Sequence, residues 1–165
     1  MMKEMRVAGI TVDPFTNTPI VILKDLDDNE ALPIWIGLLE ASSIATAIEH
    51  IQTPRPMTHD LLKNLLDKLK AEVVKIEVND LKENTFYAVL HVKAEGEKFT
   101  MDSRPSDAIA IALRTGAPIF VEESVIKRAA KVEFTQKGDK VVTDTTEWED
   151  LLEGLSQDDF GKYKM

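Results

Sequence analysis

Cysteine is absent from this chain, which excludes a disulfide framework, a thiolate metal site and a cysteine nucleophile, and suits a reducing cytoplasm. Long hydrophobic runs are absent too. The most apolar stretch, Ala31 to Ile48, contains Pro33 and Glu40, and falls short of the roughly 20 apolar residues that a spanning helix needs. The first residues mix charges into a few apolar side chains and lack the apolar segment of a secretory signal. These absences lead us to expect a soluble, cytoplasmic protein with no membrane partner. No phosphate-cradling glycine loop, G-x-S-x-G elbow or H-E-x-x-H pair occurs, so no familiar catalytic motif announces the chemistry. A basic surplus is missing as well: 20 Lys and Arg face 29 Asp and Glu, for a net charge of −9. Non-specific nucleic-acid binding runs on neutralised phosphates. Residues 132–165 carry nine acidic and four basic side chains, and the remainder is still acidic. Any contact with nucleic acid must therefore be local, or bridged by metal ions.

What is present is an ordinary globular composition: 165 residues, 44% of them hydrophobic. A domain of this size buries enough surface to fold without a staple. The high charged fraction, 30% with no cysteine and little glutamine, resembles thermophile composition.

Sliding the chain over itself by about 67 residues reveals a correspondence. Such repeats are sought first because missing one mis-assigns the fold. Asp13 falls on Asp80, Asn17 on Asn84, Leu32 on Phe99, Ile34 on Met101, and Glu40-Ala41 on Asp107-Ala108. Each copy reads as an opening strand (Met5–Val12; Val73–Val78), then a two-stranded hairpin (Pro19–Lys24 with Ala31–Ile36; Thr85–Lys93 with Lys98–Asp102). Alternating or continuous apolar residues broken by Asp-Asp-Asn or Glu-Gly give the hairpin signal. Two helices follow in each copy (Leu38–Ile51 and Thr58–Ala71; Pro105–Thr115 and Glu122–Lys131). Thr58 is a candidate cap, and Arg114, Gly116 and Pro118 form a stop signal. The first helix of each copy is rich in small and apolar residues on nearly every face, so both are expected to be buried. The predicted fold is α+β: one domain over 1–131, duplicated from a β-β-β-α-α unit (halves 5–71 and 73–131), with a mixed or antiparallel sheet packed against helices. An acidic tail, 132–165, adds a strand (Lys131–Thr135) and an amphipathic helix (Glu147–Leu155).

Two segments place polar groups where a core would not want them: Pro54 to Asp60, and Met101 to Ala108. Both enter helices, whose N-termini favour anions. Asp102 or Ser106 can cap a helix and Asp107 can offset its dipole. Arg104 can pair with Asp102 or Asp107, or meet a phosphate. His59 fits a structural or a catalytic role, whereas His50 and His91 stand alone. Glu40 interrupts an apolar run at the start of a helix expected to be buried, and a buried carboxylate must be paired, protonated or metal-bound. Because the repeat sets Glu40 over Asp107, a folded-back chain would bring both carboxylates to one place.

At these segments the chain resembles the bifunctional nuclease domain family, whose name reflects members that degrade both DNA and RNA. The similarity is carried by Leu32-Pro33-Ile34-Trp35-Ile36-Gly37 with Glu40-Ala41, by Arg55-Pro56-Met57-Thr58-His59-Asp60-Leu61-Leu62, and by Phe86-Tyr87-Ala88. It continues through Asp102-Ser103-Arg104-Pro105-Ser106-Asp107-Ala108-Ile109-Ala110. The resemblance implies an α+β fold and nuclease activity. Joined to the carboxylates, it suggests a metal-dependent phosphodiesterase acting on DNA and RNA. Glu40, Asp102 and Asp107 would then hold Mg²⁺ or Mn²⁺ and His59 would act as base, with Arg55, Arg104 and Ser106 as phosphate contacts. The alternative is a non-catalytic binding or regulatory module whose polar cluster is structural. A homodimer is expected in either case, because hairpin edges need covering, and a tail helix with Trp148, Leu151, Leu152 and Leu155 could supply the cover.

Overall fold

The computed structural model describes residues 1–129. The tail strand and tail helix expected from the sequence lie outside the described residues.

Among the described residues, seven strands form one sheet in the order β3-β2-β1-β7-β4-β5-β6. In chain order these are β1 (Met2–Val12), β2 (Pro19–Asp25), β3 (Ala31–Trp35), β4 (Glu72–Lys82), β5 (Thr85–Ala94), β6 (Glu97–Ser103) and β7 (Ile119–Glu122). The helices are α1 (Leu38–Ile48), α2 (Thr58–Lys68), α3 (Pro105–Thr115) and α4 (Glu123–Ala129). Each half contributes an antiparallel three-stranded meander. β7 sits between them, antiparallel to β1 and parallel to β4. The mixed sheet with its helices is the α+β domain that the sequence predicts.

Local chemistry explains the turns. Glu83-Asn84 and Glu95-Gly96 take left-handed conformations at two-residue hairpin tips, which match the twist of the flanking strands. Asp25 Oδ1 accepts the Glu30 N–H at 2.9 Å and ties the β2–β3 loop. β2, Pro-Ile-Val-Ile-Leu, is buried along five consecutive positions, as a continuous apolar run should be when both faces are covered. Gly116 ends α3 at φ 73°, a conformation that costs glycine little.

Four sequence expectations need correction. β7 was not anticipated: its Ile-Phe-Val core is only four residues long with its flanking glutamate, too short to show a period. The opening strands are longer than predicted: pairing with β7 starts β1 at Met2, and pairing with β5 carries β4 out to Lys82 opposite Thr85. The expectation that both α1 and α3 are buried holds for α3 but only in part for α1. α3 packs on β4, β5, α1 and α2 and buries Pro105, Ser106 and Ala108 through Ala112, while α1 buries only Ala41, Ile44 and Ala45. The first-half helices stop early, at Ile48 and Lys68, because His50 and Lys70 turn left-handed. Among the described residues no helix is long and apolar enough to cross a membrane.

Candidate functional site

Three helix starts or flanks meet at one cleft of about 550 Å³, walled by Leu39, Glu40, Ser42, Ser43, Thr46, Thr53, Met57, Thr58, His59, Arg104 and Asp107. Each element delivers its side chain for a local reason. Pro105 fixes the first turn of α3, which sets Asp107 on that turn and leaves Arg104 just ahead of it. His59 lies in the first turn of α2, anchored because Asp60 reaches back to accept the Met57 N–H at 3.0 Å. That bond caps α2 in place of the Thr58 cap read from the sequence. Glu40 folds over the start of α1, where Gly37 leaves room: a Cβ there would lie 2.1 Å from Glu40 Oε2.

The polar groups form a continuous chain. Arg104 donates from Nε to Asp107 Oδ2 at 2.7 Å and from Nη2 to Asp107 Oδ1 at 3.1 Å. Its Nη1 donates to Glu40 Oε1 at 2.8 Å. His59 Nε2 lies 2.9 Å from Asp107 Oδ1, and His59 Nδ1 lies 2.7 Å from Ser43 Oγ. Burial pushes the Asp107 carboxyl up, but the bonds from Arg104 and His59 outweigh it and hold the group below the usual carboxylate range. An ionised Asp107 only accepts hydrogen bonds, so His59 Nε2 carries the proton facing it. The Arg104 guanidinium is in turn raised by Asp107 and then by Glu40.

Glu40 and Asp107 therefore come to one place, and the cation between them is a guanidinium. The three carboxylates expected to hold a metal are not gathered as a set. Asp102 is exposed on β6 opposite Val89 and is not part of the cleft wall. Among the described residues no group of three or more His, Cys, Asp and Glu side chains could hold a metal ion. With Arg104 bonded to both Glu40 and Asp107, the residues present do not fit a divalent-ion centre. Of the expected phosphate contacts, Arg104 is on the wall with its side chain 64% exposed. Arg55 is exposed in the loop before α2 and Ser106 is buried in α3, both outside the wall.

Two residues were missed from the sequence. Ser43 follows Glu40 by three positions, one helical turn on, and that spacing was the available signal. Arg114 was read only as a helix-end cation. Its side chain is 8% exposed and donates to Asp60 Oδ1 at 2.7 Å, Ala110 O at 3.0 Å and Ser43 O at 3.1 Å. It ties α1, α2 and α3 together behind the cleft, and no spacing in the sequence encodes that.

Comparison with known proteins gives the same direction. The family model described as the bifunctional nuclease domain matches residues 21–133, a span that contains Glu40, Ser43, His59, Arg104 and Asp107. A Mycobacterium tuberculosis protein described as uncharacterized is 37% identical over 164 residues, covering 96% of this chain and 98% of that protein. "Bifunctional nuclease 2" of Oryza sativa is 32% identical over 65% of this chain and 34% of its own length. "Bifunctional nuclease 2" of Arabidopsis thaliana is 32% identical over 62% of this chain and 32% of its own length. The match thus spans about a third of each plant protein.

Proposed function

Because this chain belongs to the bifunctional nuclease domain family, we propose that it hydrolyses phosphodiester bonds in DNA and RNA at the Ser43–His59–Asp107–Arg104 cleft. The observation that carries the reading is the hydrogen-bonded line from an exposed guanidinium through a carboxylate to an imidazole, all on one open cleft wall.

Arg104 uses three N–H groups on Glu40 and Asp107. A guanidinium has five, so two remain to bind a phosphate from the open side. The starts of α2 and α3 add their dipole ends to this local positive field, which suits an otherwise acidic protein. Asp107 holds His59 in one tautomer and stabilises the imidazolium when it forms, and His59 moves the proton that hydrolysis requires. Glu40 fixes the other edge of Arg104. A homodimer belongs to the same proposal: the edge strand β6 exposes Phe99 and Met101, and light scattering reads the assembly.

The test is cleavage of short single-stranded DNA and RNA by purified protein, in EDTA and with added Mg²⁺ or Mn²⁺. His59→Ala should lower the rate by about 10²-fold or more, and Arg104→Ala should mainly raise KM. Activity retained in EDTA is the outcome that this geometry favours, while strict dependence on an added ion would restore the divalent-cation expectation. Wild-type protein inert under every condition overturns the nuclease reading. A binding or regulatory module would then remain, in which Asp107→Asn lowers Tm and has no activity to remove.

A further inference from the structure

We propose that Ser43 Oγ is a covalent nucleophile, activated by His59 and oriented through Asp107. The inference rests on the nuclease reading only for the identity of its substrate.

The first support comes from the other hydroxyls on these helices. A serine or threonine inside a helix ordinarily turns its hydroxyl back to a carbonyl three or four residues earlier. Thr46 does so to Ser43 O at 2.9 Å and Thr115 to Ile111 O at 2.9 Å. Ser43, in the middle of α1, instead reaches across to His59 Nδ1 on α2 at 2.7 Å. Its backbone carbonyl is held from behind by Arg114, so the residue is fixed while its hydroxyl faces the cleft wall.

The second support is the direction of that bond. Asp107 receives two donors from Arg104 and a third from His59 Nε2, so in the neutral ring the His59 proton sits on Nε2 and the lone pair on Nδ1. Only the Ser43 hydroxyl can then donate in the 2.7 Å contact. This is the polarity that makes a serine nucleophilic: hydroxyl to imidazole, imidazole to carboxylate. The ring is reversed relative to the usual serine hydrolases, with Nδ1 toward serine and Nε2 toward aspartate. The roles depend on geometry rather than on which ring nitrogen serves.

On a phosphodiester, Ser43 Oγ bonds to phosphorus as its proton passes to His59 Nδ1. The bond from phosphorus to the leaving nucleoside oxygen breaks, and that oxygen takes a proton from water in the open cleft. The hydroxide so formed takes the proton from His59. Water then attacks the phosphoserine and gives a proton to His59, which returns it to Ser43 as Oγ departs. The products are a nucleoside hydroxyl and a phosphomonoester.

The experiment pairs a fluorophosphonate probe with the nuclease assay, both in EDTA. The probe forms an oxygen–phosphorus bond at an activated serine and releases fluoride. Intact mass followed by peptide mapping should show one adduct, on Ser43. Ser43→Ala should be unlabelled, and Ser124→Ala, altered at an exposed serine on α4 outside the cleft wall, should label as wild type does. His59→Gln should label at least about 10²-fold more slowly. No adduct on folded wild-type protein, an adduct on Ser42, or undiminished labelling of His59→Gln overturns the proposal. Circular dichroism confirms that each variant is folded. Wild type that labels at Ser43 but cleaves no nucleic acid sinks the nuclease reading and leaves the nucleophile standing. Cleavage by Ser43→Ala at the wild-type rate does the reverse.

Discussion

α1 and α3 are each 11 residues long and open 67 residues apart in sequence, yet they hold different places in the molecule. α3 lies inside the fold and buries seven of its residues, whereas α1 buries three. The second helices diverge in the same sense. Short α4 sinks Val125, Ile126 and Ala129 into the core, while α2 buries none of its residues and leaves Leu61, Leu62 and Leu65 exposed. The second half is therefore the scaffold. The first-half helices, which fill less of the core than their second-half counterparts, carry Ser43 and His59 on faces that line the cleft. Asp107 and Arg104, at the start of the buried helix, give those groups a fixed reference point.

The sharpest way to break this contrast is to cut equally sized apolar groups from the two regions. Ile109→Ala empties a fully buried site on α3 and should cost about 3–4 kcal/mol in urea unfolding. Leu61→Ala, at a residue 62% exposed on α2, should stay within about 0.5 kcal/mol of wild type. Similar losses would mean that α2 is as integral to the core as α3. Next in size is Arg114→Ala. It removes the guanidinium that joins the first-half helices to α3 and leaves Asp60 uncompensated. Burial pushes the Asp60 carboxyl up, but the bond from Arg114 and the Met57 N–H hold it below its ordinary value. Because the Asp60 side chain is 37% exposed it can rehydrate, so the expected loss is about 2 kcal/mol, below the figure for fully buried pairs. Probe labelling of Ser43 should slow in this variant, because its carbonyl loses the same anchor.

These contrasts also mark how far the sequence could be read. Period and turn signals are local, so the hairpins at Glu95-Gly96 and the stop at Gly116 were legible, as was the α+β class. The meeting of Glu40 with Asp107 followed from setting the two halves over one another. What occupies the space between them did not, because composition does not say whether two carboxylates share a metal ion or an arginine. Arg104 carries both signatures in its sequence context, as an anion contact and as an ion-pair partner. Ser43 was hidden because a serine on a helix of small residues reads as packing; its one-turn spacing from Glu40 is a faint signal, and its orientation toward His59 gives it a role. Burial was legible from α3 but misjudged for α1, since both are apolar and the difference arises from which helix the sheet covers.

A smaller effect tests whether the first-half site is separable from the fold. Gly37→Ala places a Cβ against Glu40 Oε2, and the carboxylate, at the end of a flexible side chain, must swing away from Arg104. Unfolding free energy should fall by no more than about 1 kcal/mol, while KM for an oligonucleotide shifts because Arg104 gains a free N–H. A large loss of stability with unchanged KM would make Glu40 a fold residue instead.

The smallest expected effect compares two exposed or half-exposed carboxylates, one in each structural role. Asp80 pairs with Lys82 and Arg128 near the β4–β5 hairpin, and those bonds with the Leu81 N–H lower its pKa to about 2. Asp107 is lowered as well, by Arg104 and His59 against the upward push of burial. For a depressed carboxylate the stabilising contribution is complete above the unfolded value of 3.8 and is lost as pH falls through the folded value. Thermal melts of Asp80→Asn and Asp107→Asn should therefore sit below wild type at pH 6 and converge on it in acid, with Asp80 converging only toward pH 2. Raising the salt concentration should shrink the Asp80 difference more, since its partners Lys82 and Arg128 are 67% and 43% exposed and are screened, whereas the His59 partner of Asp107 is 13% exposed. The Asp107 difference, held in a hydrogen-bonded line with His59 and Arg104, should resist salt. Equal salt sensitivity at the two positions would mean that the cleft carboxylate is no better sheltered than an ordinary surface ion pair, and the contrast between site and scaffold would lose its electrostatic half.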